Sequence, residues 1–489
     1  MTRPLNNLAV IALIMATTYS ADAQKNTVTN AFKKEAISDL QSKYTEYKKT
    51  ALKIWDYAEV GYKEYKSSAL LQSTLKENGF KVDAGVAEMP TAFVAIYGSG
   101  KPVIGILAEF DALPGLEQDS TAEKKMINSK DAGHGCGHHL FGVASSAAGI
   151  ELKKLIEEKH LKGTIKVFGC PAEEGGGGKV YMVRAGMFND VDVVLHWHPS
   201  AQNGIEYATT MAVTAAKFKF YGLSAHAAAA PDKGRSALDA VESMNYMVNM
   251  MREHMPSDAR IHYIITDGGK APNVVPDFAE SYYMVRHYNR DIDKQLFERV
   301  VNAAKGAALG TDTRMEYDLI DGDYNVLPNK VLAVVMQKNL NMVGGVNYTP
   351  KEAEFARKIQ SSFKYQVPAI ETAATIDSLP LTPSFGPASS DVGDVSWNVP
   401  TVGLSAATWV PGTPPHSWQA TACGGTDIGI KGMMVAAKTI TLTGIDLLLN
   451  NDLIVNAKAE FESDKGPGFK YQSMIGNRKP PLDYRDSKK

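Results

Sequence analysis

Cysteine is scarce in this 489-residue chain, which contains only Cys136, Cys170 and Cys423. Proteins that depend on disulfides usually carry an even, regularly spaced set, so the chain is not a disulfide scaffold. Cys136 lies between two histidines in a glycine-rich segment, where a metal thiolate is a better interpretation than a bridge. Cys170 and Cys423 are expected to be free and partly buried, although the sequence alone leaves a bridge between them open.

The chain also lacks an excess of either charge. Its 52 Lys and Arg residues nearly balance its 54 Asp and Glu residues, for a formal net charge of -2. This balance argues against nucleic acid or an anionic membrane surface as the main partner. After residue 15 we identify no run that approaches the ~20 apolar residues of a membrane helix, so no membrane span is predicted. The length predicts two domains.

The first residues have the features of a secretory signal. Arg3 precedes an apolar run over residues 8–15 that is too short to span a bilayer, and Ala21-Asp22-Ala23 is a small-x-small cleavage site. We therefore predict a signal peptide over residues 1–23 and an exported, periplasmic product. No Cys follows the cleavage site, which argues against a lipoprotein. The alternative is a buried N-terminal helix.

Apolar runs alternate with helical stretches along most of the chain. Strands are predicted over residues 92–97, 103–108, 164–168 and 191–195, and helices over 35–71 and 141–158. This alternation indicates a mixed α/β sheet covered by helices. Polar residues follow the ends of the predicted strands, where such sheets carry their chemistry: Asp111, Glu173 and His198.

The region 212–325 has a different pattern, which predicts an inserted domain. Its order is strand, helix, strand, strand, helix, strand, which is typical of a ferredoxin-like unit. We interpret it as a lid between two parts of a catalytic domain, residues 24–211 and 326–489. The segment after Asp464, rich in Lys, Pro and Asp, is predicted to be irregular and exposed. The predicted lid elements are strands 212–221, 261–265, 281–286 and 313–320, and helices 236–252 and 292–308.

Five short segments supply the residues of a two-metal hydrolase. Glycines around Cys136 and His138 let both side chains converge, and thiolate and imidazole suit zinc. Glu173 and Glu174 lie between a proline and four glycines, and His416 follows two prolines. The other two segments are His196-Trp-His-Pro and Ser224-Ala-His. Each histidine taken singly is better explained as a hydrogen-bonded surface or core residue, but the five segments together indicate a metal site.

The chain resembles the aminoacylase/carboxypeptidase-type metallo-amidohydrolases, zinc peptidases with an inserted dimerisation domain. The motifs that carry the resemblance span the predicted mature chain: Gly133-His-Gly-Cys-Gly-His, Pro171-Ala-Glu-Glu-Gly, Trp197-His-Pro, Asp391-Val-Gly-Asp-Val-Ser-Trp and Pro414-Pro-His-Ser-Trp. The resemblance implies an α/β, mixed-sheet phosphorylase/hydrolase-like catalytic domain with an inserted ferredoxin-like lid. It also implies a homodimer formed through that lid.

The resemblance further implies specific residue roles. Two divalent metal ions, zinc or manganese, would be bound by Cys136, His138, Glu174, His198 and His416, with His198 preferred to His196. Glu173 would be the general base, and Asp111 would orient a ligand histidine. His226 would stabilise the oxyanion, while Asn273 and Arg286 would bind substrate. The alternatives are a surface histidine for His226 and a surface salt bridge for Arg286. The chain departs from the family pattern at two positions. His139 stands where the family often has Asp, and Glu109 stands where its dinuclear members have a metal-binding His.

These residues predict a metal-dependent amidohydrolase. Its substrate would be an N-acyl amino acid, a dipeptide or p-aminobenzoyl-glutamate, cleaved by metal-activated water with Glu173 as base and then acid. One alternative is a non-catalytic or regulatory subunit of a hetero-oligomeric amidohydrolase. Another is an exported protein with a single structural zinc. The retained base and complete ligand set favour the enzyme.

Overall fold

A computed structural model describes residues 27–127 and 131–486 of the chain. The predicted signal peptide lies outside these described residues, so it stays a prediction. The strands are β1 Lys81–Ala84, β2 Phe93–Ser99, β3 Val103–Glu109, β4 Leu113–Pro114, β5 Ala132–Gly133, β6 Gly163–Cys170, β7 Val193–Ser200, β8 Gly204–Ile205, β9 Ala208–Thr209, β10 Ala212–Tyr221, β11 Arg260–Asp267, β12 Phe278–His287, β13 Arg314–Asp323, β14 Ser384–Phe385 and β15 Thr401–Ala407.

Helices fill most of the intervals between these strands. They are α1 27–42, α2 Tyr44–Tyr57, α3 Tyr65–Glu77, α4 His138–Glu158, α5 Glu173–Gly176, α6 Gly178–Arg184, α7 Ala237–Met251, α8 Arg290–Gly310, α9 Lys330–Val343, α10 Pro350–Ser361, α11 Val392–Ser396, α12 Trp418–Gly424, α13 Asp427–Leu449 and α14 Asn451–Lys465.

A seven-stranded mixed sheet forms the core of the catalytic part. Its order is β1-β2-β6-β3-β7-β15-β8, and the four strands β6, β3, β7 and β15 run parallel. Every residue of β3 is buried, as expected for a parallel strand covered on both faces. The carboxyl ends of the parallel strands meet at one edge of the sheet. The residues that follow β3 and β6 are therefore brought close to the end of β7.

The inserted unit is a separate four-stranded antiparallel sheet. Its order, β11-β12-β10-β13, with α7 and α8 as the crossover helices, is that of a ferredoxin-like fold. The unit has its own apolar core, built from residues such as Phe218, Val241, Tyr283 and Val300. The predicted fold class and the inserted lid are thus confirmed, while the boundaries at residues 211/212 and 325/326 remain predictions.

Helix α13 contradicts the expectation that no segment after residue 15 approaches a membrane helix in apolar length. It is 23 residues long and, by length and composition alone, apolar enough to cross a membrane. However, 78% of its most apolar window is buried inside the protein, where it packs against α4, α9 and β15. Because a central helix is surrounded by other elements, it is apolar on every side. Its hydropathy is explained by burial in the core.

The segment after α14 corrects a second expectation. Residues 466–486 are irregular, as predicted, but they are not simply exposed. The Tyr471 hydroxyl donates to the Asp394 carboxylate, and Tyr484 and Arg485 reach the loop that carries Glu174. Aromatic and guanidinium groups in the segment find buried acceptors that a composition-based prediction does not reveal.

Candidate metal centre

The loop before α4 brings Cys136 and His138 to the edge of the sheet. Gly137 has φ +79, a left-handed conformation that favours glycine, and α4 begins at the next residue. A Cβ atom at Gly137 would also lie 2.8 Å from the Pro199 ring, just beyond His198. Glycine at this position therefore permits both the turn and the close approach of the loop to the end of β7.

His138 is oriented by Asp111, which follows β3. The His138 Nδ1 atom lies 2.8 Å from Asp111 Oδ1, and both side chains are fully buried. Asp111 Oδ2 accepts a second hydrogen bond, from the backbone N–H of Glu174 at 3.0 Å. If Nδ1 donates to the carboxylate, the Nε2 lone pair of His138 faces the site, as a metal ligand requires.

Glu173 and Glu174 occupy a distorted turn after β6. Ala172 precedes it with φ +55, and within it Glu174 has ψ 68 and Gly175 has φ +80, so the backbone does not follow a regular helix. These dihedrals point the two adjacent carboxylates in different directions. The Glu174 Oε1 atom lies 3.1 Å from His416 Nε2, whereas Glu173 faces His138 and Glu109.

His198 and His416 complete the cluster from two other parts of the chain. The His198 Nε2 atom lies 3.4 Å from Cys136 Sγ, and its Nδ1 lies 2.8 Å from the Pro199 carbonyl oxygen. His416 has φ +55, and its backbone N–H donates to the Gly135 carbonyl at 3.0 Å. This hydrogen bond ties the proline-flanked loop to the loop of Cys136. His198 lies within β7, whereas the sequence predicted it after the strand.

The five predicted ligands form two triads that share the Cys136 sulfur. Ligand atoms of Cys136, His138 and His198 lie within 4.8 Å of one another, as do those of Cys136, Glu174 and His416. His138 Nε2 and Glu174 Oε1 are buried, and each lies 3.1 Å from another ionisable group, Glu109 Oε2 and His416 Nε2 respectively. Buried charged groups are normally paired or coordinate metals. The sulfur, nitrogen and oxygen donors fit two adjacent divalent cations.

The adjacent carboxylates of the turn differ in their electrostatics. Burial, together with the carboxylates of Glu109 and Glu174, raises the pKa of Glu173 well above its usual value. Burial also raises the pKa of Glu174, but the hydrogen bond from His416 and the charge of His138 outweigh it, so that pKa is lowered. Such a pair can divide proton transfer and ligation between two neighbouring residues.

A buried ion network beside the cluster was missed by the sequence reasoning. Lys179 is fully buried, and its Nζ lies 2.6 Å from both Glu109 Oε1 and Asp391 Oδ1. The other oxygen of Glu109 lies 3.1 Å from His138 Nε2. Glu109 thus links the network to His138. The available signal was a lysine within the otherwise apolar run that follows four glycines.

Glu64 is a second buried carboxylate that the sequence did not reveal. Its oxygens accept from the Ala172 backbone N–H at 2.8 Å and the Thr91 hydroxyl at 2.9 Å. Burial and the charge of Asp111 raise the pKa of Glu64 to about 8. Glu64 therefore supports the left-handed Ala172, which sets the start of the Glu173 turn.

The lid residues predicted to act in catalysis lie apart from the cluster in the single chain. His226 is exposed, and its neighbour Ala227 donates to the Asn273 carbonyl at 3.0 Å, so His226 and Asn273 lie together. Among residues 27–127 and 131–486, no hydrogen bond, ion pair or ring contact joins either one to the five ligands. Arg286 lies on β12, with its guanidinium 2.9 Å from Met284 Sδ.

The structure also places four other residues that the sequence singled out. His139 faces away from the triads, with Nε2 3.1 Å from the Gly424 carbonyl oxygen. His196 lies near Glu206, at 3.8 Å, and the described contacts do not join it to Cys136. Cys170 and Cys423 are free and buried, so the bridge that the sequence left open is absent.

Comparison with known proteins identifies the family. Residues 105–417 match the family described as peptidase family M20/M25/M40. The chain belongs to this family. The predicted resemblance is therefore confirmed, and the chain is a hydrolase that acts on amide or peptide bonds.

Relatives within the M20 family cover most of the chain. It is 38% identical over 453 residues to a p-aminobenzoyl-glutamate hydrolase subunit of Escherichia coli (strain K12), covering 88% of this chain and 94% of that protein. It is 28% identical to the Xaa-Arg dipeptidase of Mus musculus, covering 84% and 87%. The fold is similar to that of a dinuclear metal binding peptidase from the M20 family of Bacillus subtilis, with TM-score 0.57, 16% identity and coverage of 83% and 99%.

Proposed function

We propose that the chain is a two-metal amidohydrolase that releases an amino acid from an N-acyl amino acid, a dipeptide or p-aminobenzoyl-glutamate. The observation that carries the proposal is the shared position of Cys136 in two ligand triads, with Glu173 beside them. A single structural zinc would use one triad and leave the other unexplained. The names of the relatives, a p-aminobenzoyl-glutamate hydrolase subunit and an Xaa-Arg dipeptidase, support this substrate class.

Cys136, His138, Glu174, His198 and His416 would hold the two ions. When bound, a pair of divalent cations polarises an amide carbonyl and lowers the pKa of a water molecule. Glu173 accepts the proton of the attacking water and passes it to the leaving amine, which its raised pKa favours. Asp111 keeps His138 in the correct tautomer through its 2.8 Å contact.

The lid would contribute the remaining groups. His226 and Asn273 lie side by side on the lid, and an M20 site would use His226 to stabilise the oxyanion. Because no described contact joins His226 to the ligands of its own chain, His226 would act after lid closure or in the site of a partner subunit. Arg286 would bind the substrate carboxylate as a fork, since a thioether sulfur is a weak acceptor that a carboxylate can replace.

Zinc is the favoured metal, with manganese the alternative. A thiolate ligand shared by both triads suits zinc better than manganese, which prefers oxygen donors. The test measures zinc and manganese in the purified chain by elemental analysis. It also measures release of free amino acid from N-acyl amino acids, dipeptides and p-aminobenzoyl-glutamate.

About two metal ions per chain together with amine release would support the proposal and identify the substrate. Glu173→Gln serves as the matched control, since it keeps every proposed ligand and removes only the base. No release by the metal-loaded wild type would contradict it and favour a subunit that needs a partner chain.

We further propose that the protein is exported to the periplasm and assembles through the lid. The proposed signal over residues 1–23 supports export, and fractionation of expressing cells tests it. Because the Escherichia coli relative is named as one subunit of its hydrolase, a hetero-oligomer is the competing assembly to a homodimer. Light scattering of the purified chain distinguishes the two, because only a homodimer would have twice the mass of the mature chain without a second protein.

A further inference from the structure

Residues 466–486, which we call the strap, run from the lid to the metal centre. At its start, the Phe469 ring lies 4.9 Å from Trp397, and the guanidinium of Arg290 on α8 lies 3.7 Å from the Trp397 ring and 4.7 Å from Phe469. Tyr324, just after β13, donates from its hydroxyl to the Gln472 carbonyl at 2.8 Å. The strap therefore begins on residues of the lid and of its return into the catalytic part.

Its middle is held on both sides by arginines. Arg184, at the end of α6, donates to the Gly476 carbonyl at 2.9 Å and to the Arg478 carbonyl at 2.6 Å. Arg478 in turn donates from its side chain to the Ile320 carbonyl on β13. These bonds join the catalytic helix α6 and the lid strand β13 through the strap.

The end of the strap meets the turn that carries the base and a metal ligand. The Tyr484 hydroxyl donates to the Glu174 carbonyl at 2.9 Å, and Arg485 Nη2 donates to the same oxygen at 2.5 Å. The Tyr484 ring packs edge-on against Tyr62 at 5.7 Å. Tyr62 itself donates to the Gly176 carbonyl at 2.7 Å. Two successive parts of the turn are thus held by the strap and its immediate neighbour.

The Glu174 carbonyl needs these donors because its residue lies outside a regular helix. With ψ 68 at Glu174 and φ +80 at Gly175, the peptide that joins them is turned away from helical geometry. A carbonyl in a packed loop requires a hydrogen-bond partner to hold such a conformation. Tyr484 and Arg485 both supply one, from a segment far away in the sequence.

We propose that Tyr484 and Arg485 are positioning residues for the Glu173–Glu174 turn. By fixing the carbonyl between Glu174 and Gly175, they hold Glu174 toward His416 and Glu173 toward His138. Neither residue touches the reacting atoms in this arrangement. We call these two hydrogen bonds to the Glu174 carbonyl the clamp. Without the clamp the turn relaxes, so that Glu174 holds its metal ion less firmly and Glu173 is misaligned.

The experiment combines a metal-release assay with steady-state kinetics. The double variant Tyr484→Phe/Arg485→Ala is loaded with zinc and challenged with a chelator. We expect zinc to leave at least tenfold faster than from the wild type, and kcat to fall at least tenfold with KM within about threefold. The single variant Arg485→Lys keeps a donor at this position, so its zinc release and its kcat should both stay close to those of the wild type.

Asp483→Ala is the matched control, because Asp483 is exposed and directly precedes Tyr484. It should match the wild type in zinc release and kcat. A folded double variant that releases zinc within twofold of the wild-type rate would overturn the proposal. If the double variant does not fold, Tyr484→Phe alone, which removes one oxygen atom, gives the same test at smaller amplitude.

The kinetic half of this test rests on the proposed function, whereas the metal-release half does not. If the wild type cleaves none of the substrates, the proposed substrate class fails while zinc release still tests the strap. If the wild type is active and the double variant keeps both its zinc and its kcat, the strap proposal alone fails.

Discussion

We expect a conservative substitution of Asp111 to weaken metal binding, although Asp111 is not itself a proposed ligand. Its two carboxylate oxygens accept from two parts of the site: His138 Nδ1 at 2.8 Å and the Glu174 backbone N–H at 3.0 Å. Asp111→Asn keeps the shape but replaces one acceptor with an NH₂ donor. The Asn side chain can accept only one of these two hydrogen bonds. The remaining donor then faces the side-chain NH₂ group.

The expected loss can be worked out in two independent ways. A buried donor left without an acceptor costs about 1–3 kcal/mol. Residues that orient metal-binding histidines are typically worth about 10–100-fold in metal affinity or activity, which is about 1.4–2.8 kcal/mol. Since the two ranges agree, we expect Asp111→Asn to bind zinc about 10–100-fold more weakly.

The assay is competition for zinc between the protein and a chromophoric chelator at fixed pH. Asp192→Asn is the control, because Asp192 is also a buried aspartate with two kinds of partner. It accepts from the Val103 N–H at 2.7 Å and pairs with Lys101 at 2.9 Å. It lies at the opposite end of β7 from His198, so its loss should lower stability and leave zinc affinity unchanged.

Two results would refute this reasoning. Zinc affinity of Asp111→Asn within threefold of the wild type would show that the carboxylate does not orient His138. An equal loss in Asp192→Asn would show that zinc binding reports general loosening of the fold. In either case Asp111 would lose its assigned role in the site.

Three further predictions concern the base, the lid and a buried carboxylate. Glu173→Gln should keep its metal and lose at least about 100-fold in turnover, because the proton acceptor is removed; metal loss measured by elemental analysis would make Glu173 a ligand instead. His226→Ala should keep its metal and lose about 100-fold or more in kcat, whereas unchanged kcat would return His226 to an ordinary surface residue. Burial raises the pKa of Asp293 from 3.8 to about 7, so its contribution to stability is complete below pH 3.8 and is lost as pH rises through 7. Asp293→Asn cannot ionise, and urea unfolding should show it gaining about 2–3 kcal/mol on the wild type between pH 5 and pH 8; an equal difference at both pH values would contradict the raised pKa.

Much of the fold could be predicted because it depends on local pattern. The strand predicted over 212–221 is β10 itself, and the strand predicted over 103–108 is β3 to within a residue. Buried parallel strands form continuous apolar runs, and glycines and prolines mark their ends. Helix α13 shows the limit, because an apolar core helix and a membrane helix have the same composition.

The candidate site could be predicted only in part. The motif residues Cys136, His138 and Glu174 stand out because their glycine neighbours are unusual, and they do converge in the structure. Lys179 interrupts an apolar run, but a lone lysine or glutamate does not by itself indicate a role, so the sequence assigned neither Lys179 nor Glu64 to the site. Their roles arise from burial, which removes water and leaves Glu109, Asp391 and Ala172 as partners.

Residue type and short spacing, which are local properties of the chain, were enough to predict the donor chemistry and the alternation of strands and helices. Three features depend instead on distances between atoms that are remote along the chain. They are the sharing of the Cys136 sulfur by two triads, the easier protonation of Glu173 than of Glu174, and the clamp that Tyr484 and Arg485 place on the Glu174 carbonyl. Such distances follow from the packing of the whole molecule, which no local pattern encodes.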